Sequence, residues 1–218
     1  MEKRFFRLKC SLIATSLIFS CGAISAYANI PPVRISVVAA NGDGNEQQVV
    51  DRIIAELERS PDIIVSTINS DWFVKCSIKE INDQRSGQIR YNGTVTVTTA
   101  DGQTINTTSV QKYNQDFSLQ REEPLNKALV EGAAHRCVDE MSSRALEPIE
   151  DAVHTEMRTR EMVLKATKLG DGGEYDQAIA LLQQITPDST HYWQVRALIT
   201  RYRQAKILHA HTRRAQAR

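Results

Sequence analysis

The segment Asp71–Ile81 constrains this chain most. Trp72, Val74, Cys76 and Ile78 take alternate positions, and Phe73, Lys75, Ser77 and Lys79 take those between. A period of two is a β-strand, and its apolar face carries Cys76 toward a core. A second pattern answers it. Leu125, Leu129, Ala133, Cys137 and Met141 recur every four residues, joined by Ala134, Val138 and Ala145. That is one helix stripe wide enough to cover a sheet. The expectation is a central strand with the later helix packed across it, Cys76 and Cys137 facing each other in the layer between.

The N-terminus indicates where such a chain goes. Lys3, Arg4, Arg7 and Lys9 precede a mostly apolar, uncharged run from Ser11 to Ala26, and Ala26-Tyr27-Ala28 has the form of an export cleavage site. Residues 1–28 therefore read as a signal peptide, with a mature start at Asn29 in the periplasm. Two alternatives stand beside it. The apolar run is an uncleaved anchor, although it is short for a bilayer span. Or Ser20-Cys21-Gly22 is a lipoprotein box, Cys21 is lipidated, and the protein is an outer-membrane lipoprotein. Cys10 and Cys21 lie in the signal, so Cys76 and Cys137 remain to pair as a disulfide in an oxidising compartment. Closing a loop of about 60 residues stabilises by roughly 4 kcal/mol in the chain-entropy model. The alternative is two separate buried thiols.

The other elements follow in order. Val33–Ala39 reads as a strand, and Asn41–Asn45 as a turn into a helix striped by Val49, Val50, Ile53, Ile54 and Leu57. Asn45 is the expected helix cap, with Gln48 as its box partner. The same loop fails as a calcium loop, because Glu46 sits where Gly is needed and Arg52 where the closing Glu belongs. It also lacks the ending of a phosphate loop. Ile63–Ile68 is a second strand. Gln88–Ala100 and Thr104–Phe117 form a hairpin around Asp101-Gly102, the second of them an edge. Glu122-Glu123-Pro124 opens the long helix and Pro148 ends or bends it.

The fold class is thus α+β: a small mixed sheet in the order β-α-β-β-β-β-α over residues 29–150, with helices packed on it. On that order, the Asp71–Ile81 strand, the Asp101-Gly102 hairpin and the closing helix, residues 33–147 resemble a domain of envelope proteins. It is shared by curli-secretion-type outer-membrane lipoproteins, penicillin-binding-protein activator lipoproteins and flagellar outer-membrane accessory proteins. The resemblance implies binding to other envelope proteins or assembly into rings.

Residues 151–212 read as helical, followed by a basic tail at 213–218. Thr155–Leu169 is a helix, broken by Gly170-Asp171-Gly172-Gly173. Tyr175, Ala178, Ile179, Leu181, Leu182 and a closing Pro187 then resemble the second helix of a tetratricopeptide unit, with Ala166 and Leu169 in the first. A single repeat cannot bury its own face, so it must pack on the final helix or on the α+β domain. In that final helix, Val195, Leu198, Ile199 and Tyr202 form the packing stripe, and Trp193 and Arg196 fall off it.

Charge is divided. Residues 29–150 hold eighteen acidic and twelve basic side chains, whereas residues 151–218 hold seven and eleven. From Ser189 onward there is no Asp or Glu. Tyr192, Trp193, Arg196, Arg201, Arg203 and Lys206 are the expected partner-binding residues, suited to an acidic protein, an anionic lipid or a glycan. The plainer alternative is a solvated helix face. No catalytic residue, cofactor or metal site is expected. No nucleophile elbow or zinc spacing occurs, His209-Ala210-His211 reads as a polar helix end, and Glu122-Glu123 and Glu147/Glu150/Asp151 read as solvated charges. Nucleic acid is not an expected partner for an exported chain. The expected function is a non-enzymatic envelope adaptor or assembly factor. A lipidated, homo-oligomeric ring subunit is one alternative, and a periplasmic hydrolase another.

Overall fold

A computed structural model describes residues 30–83, 88–113, 127–187 and 189–216. Glu122-Glu123-Pro124 and residues 1–29, with Cys21 and the expected signal peptide among them, lie outside these, as do Leu125 and the side chain of Leu129. The element order is β1 (Val33–Ala39), α1 (Gly44–Leu57), β2 (Ile63–Val65), β3 (Trp72–Asp83), β4 (Gln88–Thr99), β5 (Thr104–Tyr113), α2 (Lys127–Asp171), α3 (Tyr175–Leu182) and α4 (Tyr192–Gln216). The fold is α+β. Its five strands run β2-β1-β3-β4-β5, so the Asp71–Ile81 segment is the central strand and β5 is an edge.

β1 pairs in parallel with β2 and β3, while β3, β4 and β5 pair antiparallel. The register sets Cys76 opposite Val95, Val74 opposite Val97 and Ile78 opposite Gly93, so one face of the sheet is apolar. α1 and the first half of α2 cover this face. Ile35, Val74, Val95, Ile53, Val138, Met141 and Ile149 are buried between the layers. The opposite face, with Val38, Phe73 and Lys75, is open to solvent.

Local chemistry corrects the expected cap of α1 and gives Glu46 a structural role. Asp43, not Asn45, caps the helix, accepting from the Asn45 N–H at 3.4 Å. Glu46, which looked misplaced for a calcium loop, is fully buried and holds the loop closed. It accepts from the Asn41 main chain at 2.7 Å, the Asn41 amide at 2.9 Å and the Ile78 N–H at 2.9 Å. Burial pushes its pKa up, but these hydrogen bonds outweigh burial and hold it below the ordinary value.

Pro148 neither ends nor breaks α2, which runs 45 residues through it. Proline withdraws only the one N–H that would have met the Arg144 carbonyl. Ala145, Ile149 and Val153, buried on either side of it, keep the helix seated on the sheet. The 150/151 boundary therefore falls inside a helix. Two separate apolar cores nonetheless hang on it: the sheet–helix core as far as Val153, and a second built from Ala166, Ala178, Leu182, Ile185, Val195 and Tyr202. Gly170 and Asp171 still belong to α2, and the chain turns at Gly172-Gly173, where the Glu174 N–H donates to the Leu169 carbonyl at 2.9 Å. Gly170 is bare so that the Tyr202 ring can lie on it, a contact that any Cβ would obstruct. Among the described residues no helix is long and apolar enough to cross a membrane.

Candidate interaction surface

α4 carries the expected partner-binding residues, and its two sides differ. Val195 and Tyr202 are buried and Leu198 and Ile199 half-buried against α3 and the end of α2. At 100° per residue, Trp193, Arg196, Thr200, Arg203 and Ile207 share the opposite side. Trp193 is 77% exposed, Ile207 60% and Leu208 70%. Beyond Tyr202 only Ala205 is even half-buried as far as Thr212, so the helix continues past its own packing.

The six expected residues do not form a single group. Tyr192, Trp193 and Arg196 do come together: the two rings meet edge to face at 5.6 Å, and the Arg196 guanidinium lies 5.8 Å from the Tyr192 centroid. Arg203 is two turns on, on the same side. Arg201 is exposed but points from another flank. Lys206 makes an exposed ion pair within the chain, donating to Asp176 of α3 at 2.5 Å.

The root of α4 is fixed by an ion-pair knot that local sequence did not reveal. Glu156 on α2 is 5% exposed. One of its oxygens meets His191 Nε2 at 2.6 Å and Arg160 Nε at 2.8 Å, and the other accepts from the Thr190 hydroxyl at 2.8 Å. Arg160 reaches on to Asp71 at 3.0 Å and to the Pro31 carbonyl at 3.1 Å. Burial pushes the Glu156 pKa up, but the hydrogen bonds from His191, Arg160 and Thr190 win and bring it to about 2. The bond to Glu156 raises His191 above its ordinary value against the opposing effect of burial. The other His191 ring nitrogen faces Gln194 at 3.0 Å, so both are engaged. In this arrangement the imidazole is a strut between α2 and α4 and has no free nitrogen to act as a base. The one local hint was the i,i+4 spacing of Glu156 and Arg160.

Beside the knot lies a cleft of about 400 Å³, walled by Trp72, Ile105 and Asn106 of the sheet and by Glu147, Pro148 and Asp151 of α2. Among the described residues no group of three or more His, Cys, Asp or Glu is placed to hold a metal ion.

Cys76 and Cys137 are both buried, and they are free thiols. The expected disulfide is not formed in this structure. The two occupy different surroundings. Cys137 Sγ lies 3.9 Å from Met141 Sδ over Gly93, whereas Cys76 stands further along β3, opposite Val95. Burial, with Glu46 nearby, pushes Cys76 up to about 12, and burial, with Glu140 nearby, pushes Cys137 to about 11.

No family model and no curated protein matches the chain. Solved structures do. A minor lipoprotein of Acinetobacter baumannii is 15% identical with a TM-score of 0.35, covering 54% of this chain and 91% of its own. A hypothetical protein of Chlamydia trachomatis is 10% identical with a TM-score of 0.31, covering 53% and 96%. A dodecameric PelC variant of Paraburkholderia phytofirmans is 8% identical with a TM-score of 0.28, covering 51% and 87%.

Proposed function

We propose that the protein is an exported, non-enzymatic cell-envelope adaptor or assembly factor that engages an acidic partner protein through α4. The observation that carries this is the solvent-facing stripe of Trp193, Arg196, Arg203 and Ile207, set opposite the packed stripe of the same helix. An exposed tryptophan flanked by arginines has the composition of an interaction hot spot. The knot at Glu156 supports the reading, because an anchored root spends less entropy on binding. On this reading the end of α2 and α3 form a tetratricopeptide-type hairpin whose open face α4 covers, and the leader directs the chain to the periplasm.

In-cell crosslinking from a photoreactive residue at position 193 tests it. The same acidic partner should be captured repeatedly, and the doubly altered Trp193→Ala/Arg203→Glu protein, scanned through crosslinking at a neighbouring exposed site, should lose it while melting like the parent. Capture unchanged by the double substitution rejects the surface. The division of charge between the acidic sheet domain and the basic helices favours one second reading, head-to-tail contact between copies in a ring. There Cys21 would carry lipid, and mass spectrometry of the membrane fraction separates that product from a soluble chain beginning at Asn29.

A further inference from the structure

We propose that the open face of the sheet docks on an anionic bilayer surface, its cations on lipid phosphates and its exposed apolar side chains at the head-group boundary. This surface is separate from the α4 stripe and does not rest on it.

The register decides which side chains share that face. Arg34 lies beside Ile64, Val38 beside Lys75, and Lys79 opposite Asn92. Alternation along β3 and β4 brings Phe73 and Arg90 to the same side. Arg34, Lys75 and Lys79 are exposed and Arg90 is half-buried. None of these four cations makes an ion pair among the described residues. The Arg90 Nε is buried and has no hydrogen-bond partner there. Among the described strand side chains this face carries no Asp or Glu. Asp71, just before β3, is claimed by Arg160 and by the Arg34 N–H. The covered side is different, for there Arg52 meets Asp139, and Lys112 and Arg144 both meet Glu140. Residues 29–150 hold eighteen acidic and twelve basic side chains, so free positive charge on one face runs against the domain's average. Lys79 and Arg90 are diagonal neighbours across β3 and β4, about 7–8 Å apart by the register, and an anion between them would relieve their repulsion.

The same face also exposes apolar side chains. Ile64 is 45% exposed, Val38 40% and Phe73 38%. This pairing selects the occupant. A soluble polyanion would satisfy the cations and leave Ile64, Val38 and Phe73 in water. The boundary of an anionic bilayer takes both, because binding there grows with buried apolar area and with attraction to anionic lipid. Five strands at about 4.8 Å spacing span about 20 Å, and Phe73 to Lys79 covers about the same length. Such a broad face suits a surface more than a single small ligand.

The chain beginning at Asn29 has no Cys21 to carry lipid, so any membrane binding belongs to the folded protein. It is sedimented with vesicles of phosphatidylethanolamine alone and of equal parts phosphatidylethanolamine and phosphatidylglycerol. Binding is expected to the mixed vesicles, and raising salt from about 0.1 M to about 1 M should weaken it. Lys75→Gln/Lys79→Gln should weaken it about twenty-five-fold, at about fivefold per cation. Both lysines are exposed, so this variant should melt like the parent, and it carries the test if Phe73→Ser fails to fold. A folded Phe73→Ser should bind the vesicles several-fold more weakly. The α4 variant Trp193→Ala/Arg203→Glu should bind them within a few-fold of the parent, which separates this surface from the α4 one. No sedimentation, equal binding to phosphatidylethanolamine alone, or equal binding by the lysine variant overturns the proposal. So does polygalacturonate binding as tight as the vesicles and indifferent to Phe73→Ser, which would assign the face to an acidic glycan. Self-association lost in the lysine variant would assign it to a second copy and equally overturn it.

Discussion

Replacing Glu156 by Gln keeps the size of the side chain and removes the charge at the centre of the α4 anchor. The carboxylate sits at a pKa of about 2 against an ordinary 4.5. At about 1.4 kcal/mol per tenfold, that difference corresponds to roughly 3 kcal/mol of stability. Depression of a carboxylate makes its contribution present above about pH 4.5 and lost as pH falls toward 2. His191 is raised, so its part is present below its unfolded value and lost as pH rises through the elevated folded one. The variant should therefore be worst off near pH 5.5, by roughly 3 kcal/mol, or about 6–12 °C in melting temperature for a chain of this size. The gap should narrow at about pH 3, where the unfolded chain already holds its proton on Glu156 while the fold still resists it, and narrow partly at about pH 9 to the extent that His191 has lost its proton while Arg160 still pairs. Thermal melts followed by circular dichroism at the three pH values measure it. A loss below about 1 kcal/mol near pH 5.5, the size of an ordinary surface pair, refutes the reasoning, and so does a loss that ignores pH.

Further outcomes follow from the packing. Gly93→Ala places a Cβ into the Met141 side chain and 3.0 Å from Cys137 Sγ, so urea denaturation should show a loss of about 1–3 kcal/mol. Gly170→Ala drives the Tyr202 ring off α2, and limited proteolysis should then cut near α4 while the sheet domain stays resistant. With thiols buried and raised to about 12 and about 11, alkylation near pH 8 should leave Cys76 and Cys137 unmodified until the protein is unfolded. Their failure to label after unfolding without reductant would restore the disulfide. Glu46→Gln removes the charge from three hydrogen bonds at the β3–α1 junction and should cost about 1.5–3 kcal/mol in the same denaturation assay.

Where a residue's side is decided by its immediate neighbours, the chain could be read directly. Alternation in Asp71–Ile81 foretold which side chains of β3 are buried, and the four-residue recurrence of Ala133, Cys137 and Met141 foretold the covering helix. Strand order was not legible in this way, because the parallel pairing of β1 with both β2 and β3 is set by which apolar faces meet. That Pro148 does not end α2 has a related reason. Local rules count the one lost hydrogen bond, while the continuity of α2 is decided by Ala145, Ile149 and Val153 packing on the sheet. The helix cap was missed by two residues because Asp43 and Asn45 are both good caps. The neighbouring Glu46 was equally opaque in sequence, because its partner Ile78 is far along the chain.

The same division runs through the functional surfaces. Trp193 and Arg196 fall outside the i, i+3, i+4, i+7 stripe of α4, so their exposure follows from helical geometry alone, and the fold leaves them exposed. Lys206 stands one turn beyond Tyr202, on the packed side of the helix, and there it pairs with Asp176 of α3. The knot is less visible still, since Glu156 draws on Thr190 and His191, and Arg160 on Asp71 and Pro31. Glu147 and Asp151 are exposed, as solvated helix charges are, and nothing beside them in sequence indicates that Trp72 of β3 lines the same cleft. A surface built from one helix can be read from its periodicity. A site assembled across a strand and a helix becomes visible only once the register of β3 and the unbroken run of α2 have brought its parts together.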